Sequence, residues 1–432
     1  MVSKKFSNNK RKKSLIKKHL GGMLTEQQLA VLGHSNQLSL EKFVILSCPE
    51  FDYLADSLIQ KSGGLFLKGN VGWKKYNDGT PKMVMDEHTV KMLRGRHVIY
   101  LAYFSFNEPN STNILSQYMF LSSLASYGIN KLHIILPYYP TGTMERIQVE
   151  GELGTGYYLA HFFNSIPCGN SKNELYVIDM HALCTRFFFH TNIKMTFITM
   201  FNKYAQIISD KPGISFVVFP DDGAEKRNKE LCKLKKIKFI TCAKIRVGDK
   251  RFITITGDIS TMVQNIIDNV QLYRTKKEYI KINLFIMDDL IQTGGTVSET
   301  INQFVVALKA QINTTNSDLH ITDEEYSILI NYILLITHSI LPPPLTEPSL
   351  DLVIPTVDSV RDIFMNKLFF EKMQNIEYVT TDTRPFMKQI LHVLNTEEGG
   401  PLQDRITIIS IDDIILNVFT DINTQYITPY SS

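Results

Sequence analysis

From His97 onward the chain alternates short apolar runs rich in β-branched and aromatic residues with windows of helical period. His97-Val-Ile-Tyr-Leu-Ala-Tyr-Phe104 reads as a buried strand, Thr112 to Tyr127 as a helix stopped by Gly128, and Leu132-His-Ile-Ile-Leu-Pro-Tyr-Tyr139 as the next strand. A loop, Pro140 to Glu152, leads to a helix near Thr155 to Asn164 and to the strand Glu174-Leu-Tyr-Val-Ile-Asp-Met-His181. Strand, helix and strand in this order predict a parallel sheet with helices on its faces.

A second series of the same grain follows. Ile214-Ser-Phe-Val-Val-Phe219 runs into Pro220-Asp-Asp-Gly-Ala-Glu-Lys226, a basic helix and the strand Lys238-Phe-Ile-Thr-Cys-Ala-Lys-Ile-Arg246. Phe252 to Thr256, a strand starting at Asn283, a helix from Val297 and the run Ile328 to Ile336 continue it, and late strands lie at Glu377 to Thr380 and Ile406 to Ser410. The most apolar stretch, Tyr326 to Leu341, is broken by Asn331 and His338 and is too short to span a bilayer comfortably, so it reads as a core strand. No exact repeat joins the two series.

Polar residues gather where these strands end. Asp179/His181, Asp221/Asp222, Lys244/Arg246 and Asp288/Asp289 all fall at predicted carboxyl ends, the side on which open parallel sheets bind ligands. The richest cluster is Asn283-Leu-Phe-Ile-Met-Asp-Asp-Leu-Ile-Gln-Thr-Gly-Gly-Thr-Val-Ser-Glu-Thr300. A buried strand delivers Asp288 and Asp289, and Thr293-Gly294-Gly295-Thr296 opens a helix whose unpaired N–H groups attract a phosphate. Carboxylates beside such a turn can hold ribose hydroxyls or a divalent cation. A bare Gly-Gly-Thr is equally an ordinary helix cap; the paired acids and the apolar run before them favour a sugar-phosphate site.

Size and composition bound the rest. A chain of 432 residues with 44% hydrophobic and 21% charged residues is expected to form two globular domains. The net charge of +3 hides an asymmetry: Lys4, Lys5, Lys10, Arg11, Lys12, Lys13, Lys17 and Lys18 crowd the start without an acid, and the remainder is slightly acidic. The tail reads as a solvated, disordered extension over 1–40 rather than a nuclear address, a nucleic-acid arm or an organelle presequence. Neither nucleic acid nor membrane is an expected partner. Five scattered cysteines, Cys48, Cys168, Cys184, Cys232 and Cys242, without metal-ligand spacing favour a reducing compartment, here the cytoplasm.

Taken together, these motifs resemble the ribose-phosphate pyrophosphokinase (phosphoribosyl pyrophosphate synthetase) family, and the likeness runs from about Phe51 to Phe419. Residues 286–296 resemble its ribose 5-phosphate loop, Val177-Ile-Asp-Met-His-Ala182 its metal and nucleotide strand, and Val218-Phe-Pro-Asp-Asp-Gly-Ala224 its Pro-Asp turn. Lys244-Ile-Arg246 is similar to the start of its catalytic flexible loop, and Tyr378-Val-Thr-Thr-Asp-Thr-Arg-Pro385 to its late Thr-Asp segment. Pro137-Tyr-Tyr-Pro-Thr-Gly-Thr-Met-Glu-Arg146, with Glu150-Gly151-Glu152, is closer to the phosphate-independent plant-type branch, because Thr143 and Met144 stand where the common branch has an Arg-Gln pair. Gln292 replaces an Asp of the common phosphate loop, and Asn192 to Thr196 lacks the acids that common members carry.

The resemblance implies two tandem type I phosphoribosyltransferase-like domains of α/β class, 41–200 and 201–432, with insertions near 313–325 and 342–348. It implies transfer of a diphosphoryl group from ATP or another nucleoside triphosphate to ribose 5-phosphate, with Mg²⁺ as cofactor, in a homo-oligomer. Activation by phosphate and inhibition by ADP are not expected. Carried over residue by residue, it implies that Lys244 and Arg246 supply catalytic charge and that Asp288, Asp289, Gln292, Thr293, Gly294, Gly295 and Thr296 bind ribose 5-phosphate. Tyr76, Asp78, Gly79, Thr80, Thr143, Met144, Arg146 and His181 would face the nucleotide, the first four across a subunit boundary. Asp179, His181 and Asp221 would serve the metal. Alone, a His at a strand end is more often structural, and Lys244/Arg246 could be solvated charges of an edge strand. Two other readings remain: a catalytically silent regulatory subunit of such a synthetase, and a phosphoribosyltransferase that shares the phosphate loop.

Overall fold

The computed structural model describes residues 43–106, 112, 114–190, 192–247, 250–292, 294–316, 318–341, 376–394 and 404–420, with the backbone alone for 244–247, 250–253, 295, 296, 391, 393 and 394. The basic extension 1–40, Thr293 and the segment 342–348 lie outside the described residues.

β1 (Phe43–Ser47) and β2 (Phe66–Lys68) lead into an antiparallel hairpin, β3 (Val71–Lys75) and β4 (Pro81–Met85), and then β5 (His97–Leu101), β6 (Lys131–Ile135), β7 (Asn173–Ile178) and β8 (Ile193–Ile198) follow. Outside the hairpin these strands form one parallel sheet in the order β2-β1-β5-β6-β7-β8. The chain then repeats the plan. β9 (Ile214–Phe219), β10 (Phe239–Val247), β11 (Lys250–Ile255), β12 (Ile282–Ile291), β13 (Ile330–Ser339), β14 (Ile376–Thr381) and β15 (Ile406–Ile409) order as β11-β10-β9-β12-β13-β14-β15. Only the β10–β11 pair is antiparallel. Leaving β11 and the first hairpin aside, both sheets run second, first, third, fourth, fifth, sixth in chain order. The strand order therefore reverses direction at β1/β5 in one sheet and at β9/β12 in the other, and such reversals open ligand crevices.

Helices fill the connections: α1 (Asp52–Lys61), α2 (Glu87–Leu93), α3 (Ile114–Leu124), α4 (Thr155–Asn164) and α5 (Phe201–Asp210), then α6 (Asp222–Leu234), α7 (Ser260–Lys276), α8 (Gly295–Thr315), α9 (Asp323–Leu329), α10 (Phe386–Leu394) and α11 (Asp412–Thr420). The central strands are apolar without alternation because both faces are covered, so Ile282 through Met287 are all buried. Each such Leu, Ile or Phe contributes roughly 1.5–3 kcal/mol of burial.

Alternation along the second sheet decides which core each residue joins. Val217, Phe219, Phe285, Met287, Ile333 and Leu335 pack into the core of the first sheet. Phe216, Val218, Leu284, Ile286, Leu334 and Ile336 join a separate core with α7 and α8. The two sheets thus share apolar packing as well as a chain. α11 strengthens the union: Ile414 and Ile415 sit in the first core, Phe419 packs edge-on against Phe43 and His133, and Asp412 accepts from Ser57 and pairs with Lys61 of α1.

The structure corrects some element boundaries read from pattern. The run Tyr326 to Leu341 is not all strand. Thr322 caps Glu325 in a reciprocal capping box, Asp323, Glu324 and Glu325 fill the first turn, and the chain stays helical to Leu329 before β13 begins. β5, β6 and β7 stop at Leu101, Ile135 and Ile178, three or four residues short of their apolar runs, whereas β12 continues through both acids to Ile291.

Candidate active site

The crevice at the β9/β12 reversal is built from three elements of the second sheet and one loop of the first. Immediately after β9, Asp221 leaves helical geometry and caps α6, its Oδ1 accepting from Ala224 N at 2.9 Å. On the second turn of α6, Arg227 reaches back across this crevice. Its Nη2 donates to Asp288 Oδ1 at 3.0 Å and to Asp289 Oδ1, and its Nη1 donates to the His181 carbonyl at 3.1 Å. The ring of His181, which follows β7 in the other sheet, closes the circuit with 2.8 Å from Nδ1 to Asp289 Oδ2.

Burial gives this circuit its electrostatics. The Asp289 side chain is 3% exposed and that of Arg227 is 12% exposed. Burial alone would raise the Asp289 carboxyl, but the Arg227 guanidinium and the His181 hydrogen bond outweigh it and hold Asp289 well below the usual carboxylate range. Burial and the Asp289 charge together push Asp288 well above its ordinary value. One carboxylate is therefore fixed as an anion, and its neighbour is held toward the neutral acid. Burial disfavours charge on His181 and Arg227 as well, yet the Asp289 contacts raise both.

Asp179 takes a different place. Its backbone is left-handed, φ 37°, and its buried carboxyl accepts from Thr337 Oγ1 of β13 at 2.5 Å and from Met200 N at 3.2 Å. Burial raises this carboxyl. Beside it, His338 joins the sheets through Ile178 O at 2.9 Å and Thr383 Oγ1 at 3.0 Å, with burial lowering the ring to about 4. These bonds seal the inter-sheet seam directly beneath the site.

Among the described residues, no group of three or more His, Cys, Asp or Glu could hold a metal ion. Asp179, His181 and Asp221 each spend a side-chain atom on a protein partner. Two of these contacts leave a second ligating atom on the same side chain, Nε2 of His181 and Oδ2 of Asp221.

The Gly-Gly turn lies between β12 and α8. Gly294 adopts φ 77° at the start of α8 and, as its N-cap, supplies no side-chain cap, so the first N–H groups of the helix have no partner within it. Gln292 is exposed, while Thr293 and the Thr296 side chain lie outside the described residues. Lys244 and Arg246 lie on β10, where the backbone pairs them with Ile253 and Arg251 of β11. Thr143 lines a small cavity with Tyr138, His181, Asp289 and His338. Met144 accepts the backbone bond from Gly156 N, and Arg146 is exposed and paired with Glu145. Tyr76, Asp78, Gly79 and Thr80 form the tip of the β3–β4 hairpin; their bonds are internal to the turn, as in Thr80 N to Asp78 Oδ1 at 2.9 Å, and they line neither that cavity nor the crevice under Asp288.

No protein-family model matches the chain. Ribose-phosphate pyrophosphokinase 4 of Oryza sativa subsp. japonica is 30% identical over 256 residues, 58% of this chain and 70% of that protein. The chain belongs to the ribose-phosphate pyrophosphokinase family. The mitochondrial ribose-phosphate pyrophosphokinase 3 of Spinacia oleracea is 31% identical over 264 residues, 60% of this chain and 58% of that protein. The chain thus spans about three fifths of the length of these pyrophosphokinase 3 relatives. The crystal structure of phosphoribosylpyrophosphate synthetase from Mycobacterium smegmatis superposes with a TM-score of 0.56 at 15% identity, covering 88% of this chain and 97% of that one, which establishes a common fold. The α/β class and the two successive, mainly parallel sheets agree with the expectation for this family.

Pyrophosphokinase motifs pointed to Asp288, Asp289 and His181 but missed Arg227, Thr337 and Tyr138. For Arg227 the only signal was its place on the basic helix that follows the Pro-Asp turn. Thr337 had none, since it is an ordinary residue of an apolar run, and Tyr138 lay inside the Pro137-to-Arg146 motif without a role of its own.

Proposed function

We propose that the chain is a ribose-phosphate diphosphokinase. The observation that carries this reading is the acid pair at the β9/β12 reversal, Asp289 buried and Asp288 nearly so, next to a helix start with glycine as its N-cap and facing a histidine from the other sheet. A sugar phosphate bound there would set its phosphate on the N–H groups after Gly294, with Gln292 and the hydroxyls of Thr293 and Thr296 as further partners and Gly295 admitting the backbone. Its ring hydroxyls would meet Asp288 and Asp289. Held toward the neutral acid, Asp288 can donate as well as accept, and ionised Asp289 stays with Arg227, and with His181 until a nucleotide arrives.

The nucleotide would enter as its magnesium complex, the ion arriving as part of the substrate, on the His181 side beside Thr143 and Met144. Tyr76, Asp78, Gly79 and Thr80 are proposed for the base, across a boundary with a second copy in a homo-oligomer, and Arg146 for the outer phosphates. In the reaction the 1-hydroxyl oxygen of ribose 5-phosphate bonds to the β-phosphorus. The bond from that phosphorus to the α,β-bridging oxygen breaks, the nucleoside monophosphate leaves, and the hydroxyl proton passes to solvent. Charge spreads over the phosphoryl oxygens in the transition state, and Lys244 and Arg246 on β10 are proposed to meet it.

The test is ribose 5-phosphate-dependent release of AMP from ATP by the purified chain, repeated with other nucleoside triphosphates and with added phosphate. Product formed without added phosphate supports the reading. No product alone, but a changed rate for an active relative, would favour a regulatory subunit, and consumption of phosphoribosyl pyrophosphate with a base would favour a phosphoribosyltransferase. The reducing cytoplasm is the proposed compartment, consistent with five free cysteines; imaging a tagged chain in an organelle would overturn that choice.

A further inference from the structure

The Arg227 circuit has a property that neither acid pair nor histidine has alone: it closes a ring through both sheets. Arg227 Nη1 holds the backbone of His181, Asp289 holds the ring of His181, and Arg227 Nη2 holds both Asp288 and Asp289. On the proposed reading, His181 faces the nucleotide and Asp288 faces the sugar. The two half-sites therefore have a common, buried, two-pronged link.

We propose that Arg227 is a positioning residue that couples the two half-sites, so that filling the nucleotide side tightens the grip on the sugar phosphate; the proposal rests on the diphosphokinase reading above. A planar guanidinium can span two carboxylates and a carbonyl at once, which an ammonium on a flexible stem cannot do. Space has been left for it. A Cβ added at Gly223 would lie 3.3 Å from Arg227 Nη1 and 3.2 Å from Asp221 Oδ1, so a side chain there would crowd the fork. The Nε of Arg227 is buried with no hydrogen-bond partner among the described residues, and the cavity under the site is lined by Arg227, Asn228, Asp288 and Asp289. A buried donor without a partner is a cost that a purely static bridge has no reason to carry. It suits a clamp that shifts when anionic oxygens enter. When His181 turns toward a nucleotide phosphate it lets go of Asp289 Oδ2, and Arg227 carries that change to Asp288. Coupling of this kind is reciprocal: the sugar phosphate tightens nucleotide binding by the same factor.

Calorimetric titration of the full chain with ribose 5-phosphate, alone and with saturating magnesium α,β-methylene ATP, tests this, because the analogue cannot be cleaved at the reacting bond. Wild type is expected to bind ribose 5-phosphate about fivefold or more tightly with the analogue present. In Arg227→Met the two affinities should agree within about twofold, each binary affinity staying within about tenfold of wild type, at preserved circular dichroism. Arg227→Lys keeps the charge without the fork and should lose the same coupling, and it decides the matter if Arg227→Met does not fold. Retained coupling in either folded variant overturns the proposal, and so does failure of both to fold, which would make Arg227 structural only. Wild type that binds both ligands independently sinks this proposal and spares the function. Wild type that binds neither sinks both.

Discussion

The two sheets of this molecule have the same strand order, but among the described residues only the second carries an Arg-bridged acid pair at its reversal. Pairing registers let their third strands be compared. Val218 lies opposite Ile286, so the end of β9 falls level with Met287 and Asp289 lies two residues beyond; the end of β1 pairs Ser47 with Leu101, and two residues beyond is Tyr103. At this shared place the second sheet presents a carboxylate held by Arg227 and His181, whereas the first presents a buried aromatic ring whose hydroxyl accepts from Arg384 at 3.2 Å. A fold repeated twice thus supplies two reversals, and side chains decide which one gathers charge and which one becomes packing.

The largest expected break in this comparison is Asp289→Asn. It removes the charge opposing Arg227, so turnover should fall about a thousandfold. Stability should drop by about 3–5 kcal/mol, because a buried guanidinium is left short of its counter-charge. AMP-release kinetics and denaturant unfolding check both; unchanged turnover would remove Asp289 from the site.

Next comes Lys244→Ala, for which turnover should fall at least about a hundredfold, as expected for loss of one transition-state charge. Its melting temperature should scarcely move, and normal turnover would take Lys244 out of the mechanism. Tyr103→Phe probes the silent counterpart of Asp289. Losing a hydroxyl that serves a buried arginine should cost about 1.5–3 kcal/mol in unfolding experiments. Turnover should hold within about threefold, and a collapse of kcat at intact stability would show that the first crevice is not silent.

The smallest effect concerns pH. Asp289 raises His181 above its ordinary value of 6.5 against the opposing effect of burial, so the folded ring holds its proton to higher pH than the unfolded one. Stability from this link is complete below pH 6.5 and fades as pH climbs through the raised folded value. The stability gap between wild type and His181→Ala should therefore narrow from pH 6 to pH 9 by under about 1 kcal/mol, since the ring is partly exposed. A gap that widens would reverse the assignment of charge.

Much of this organisation was readable along the chain. The helix Thr155–Asn164, the end of α3 and its following turn at Gly128, and the acids carried on β12 all follow from local period and stop signals. Asp179 was readable only as an acid near a histidine. Its role as a latch to Thr337 needs a partner 158 positions away, and the clamp on Asp289 joins residues 62 and 108 positions apart. Tyr326 misled because an aromatic in an apolar run suits a strand or a helix equally, and the capping box at Thr322 decided the matter.

By itself the sequence determined the alternation of strand and helix, the acid pair, the glycine turn and the kinship with pyrophosphokinases, because each is written in residues close together. Only the tertiary structure decided which acid keeps its charge, which arginine binds the pair, and which of two like crevices is polar. Those outcomes depend on burial and on partners that meet only when the two halves of the chain pack together, and no local pattern encodes which distant side chain will arrive.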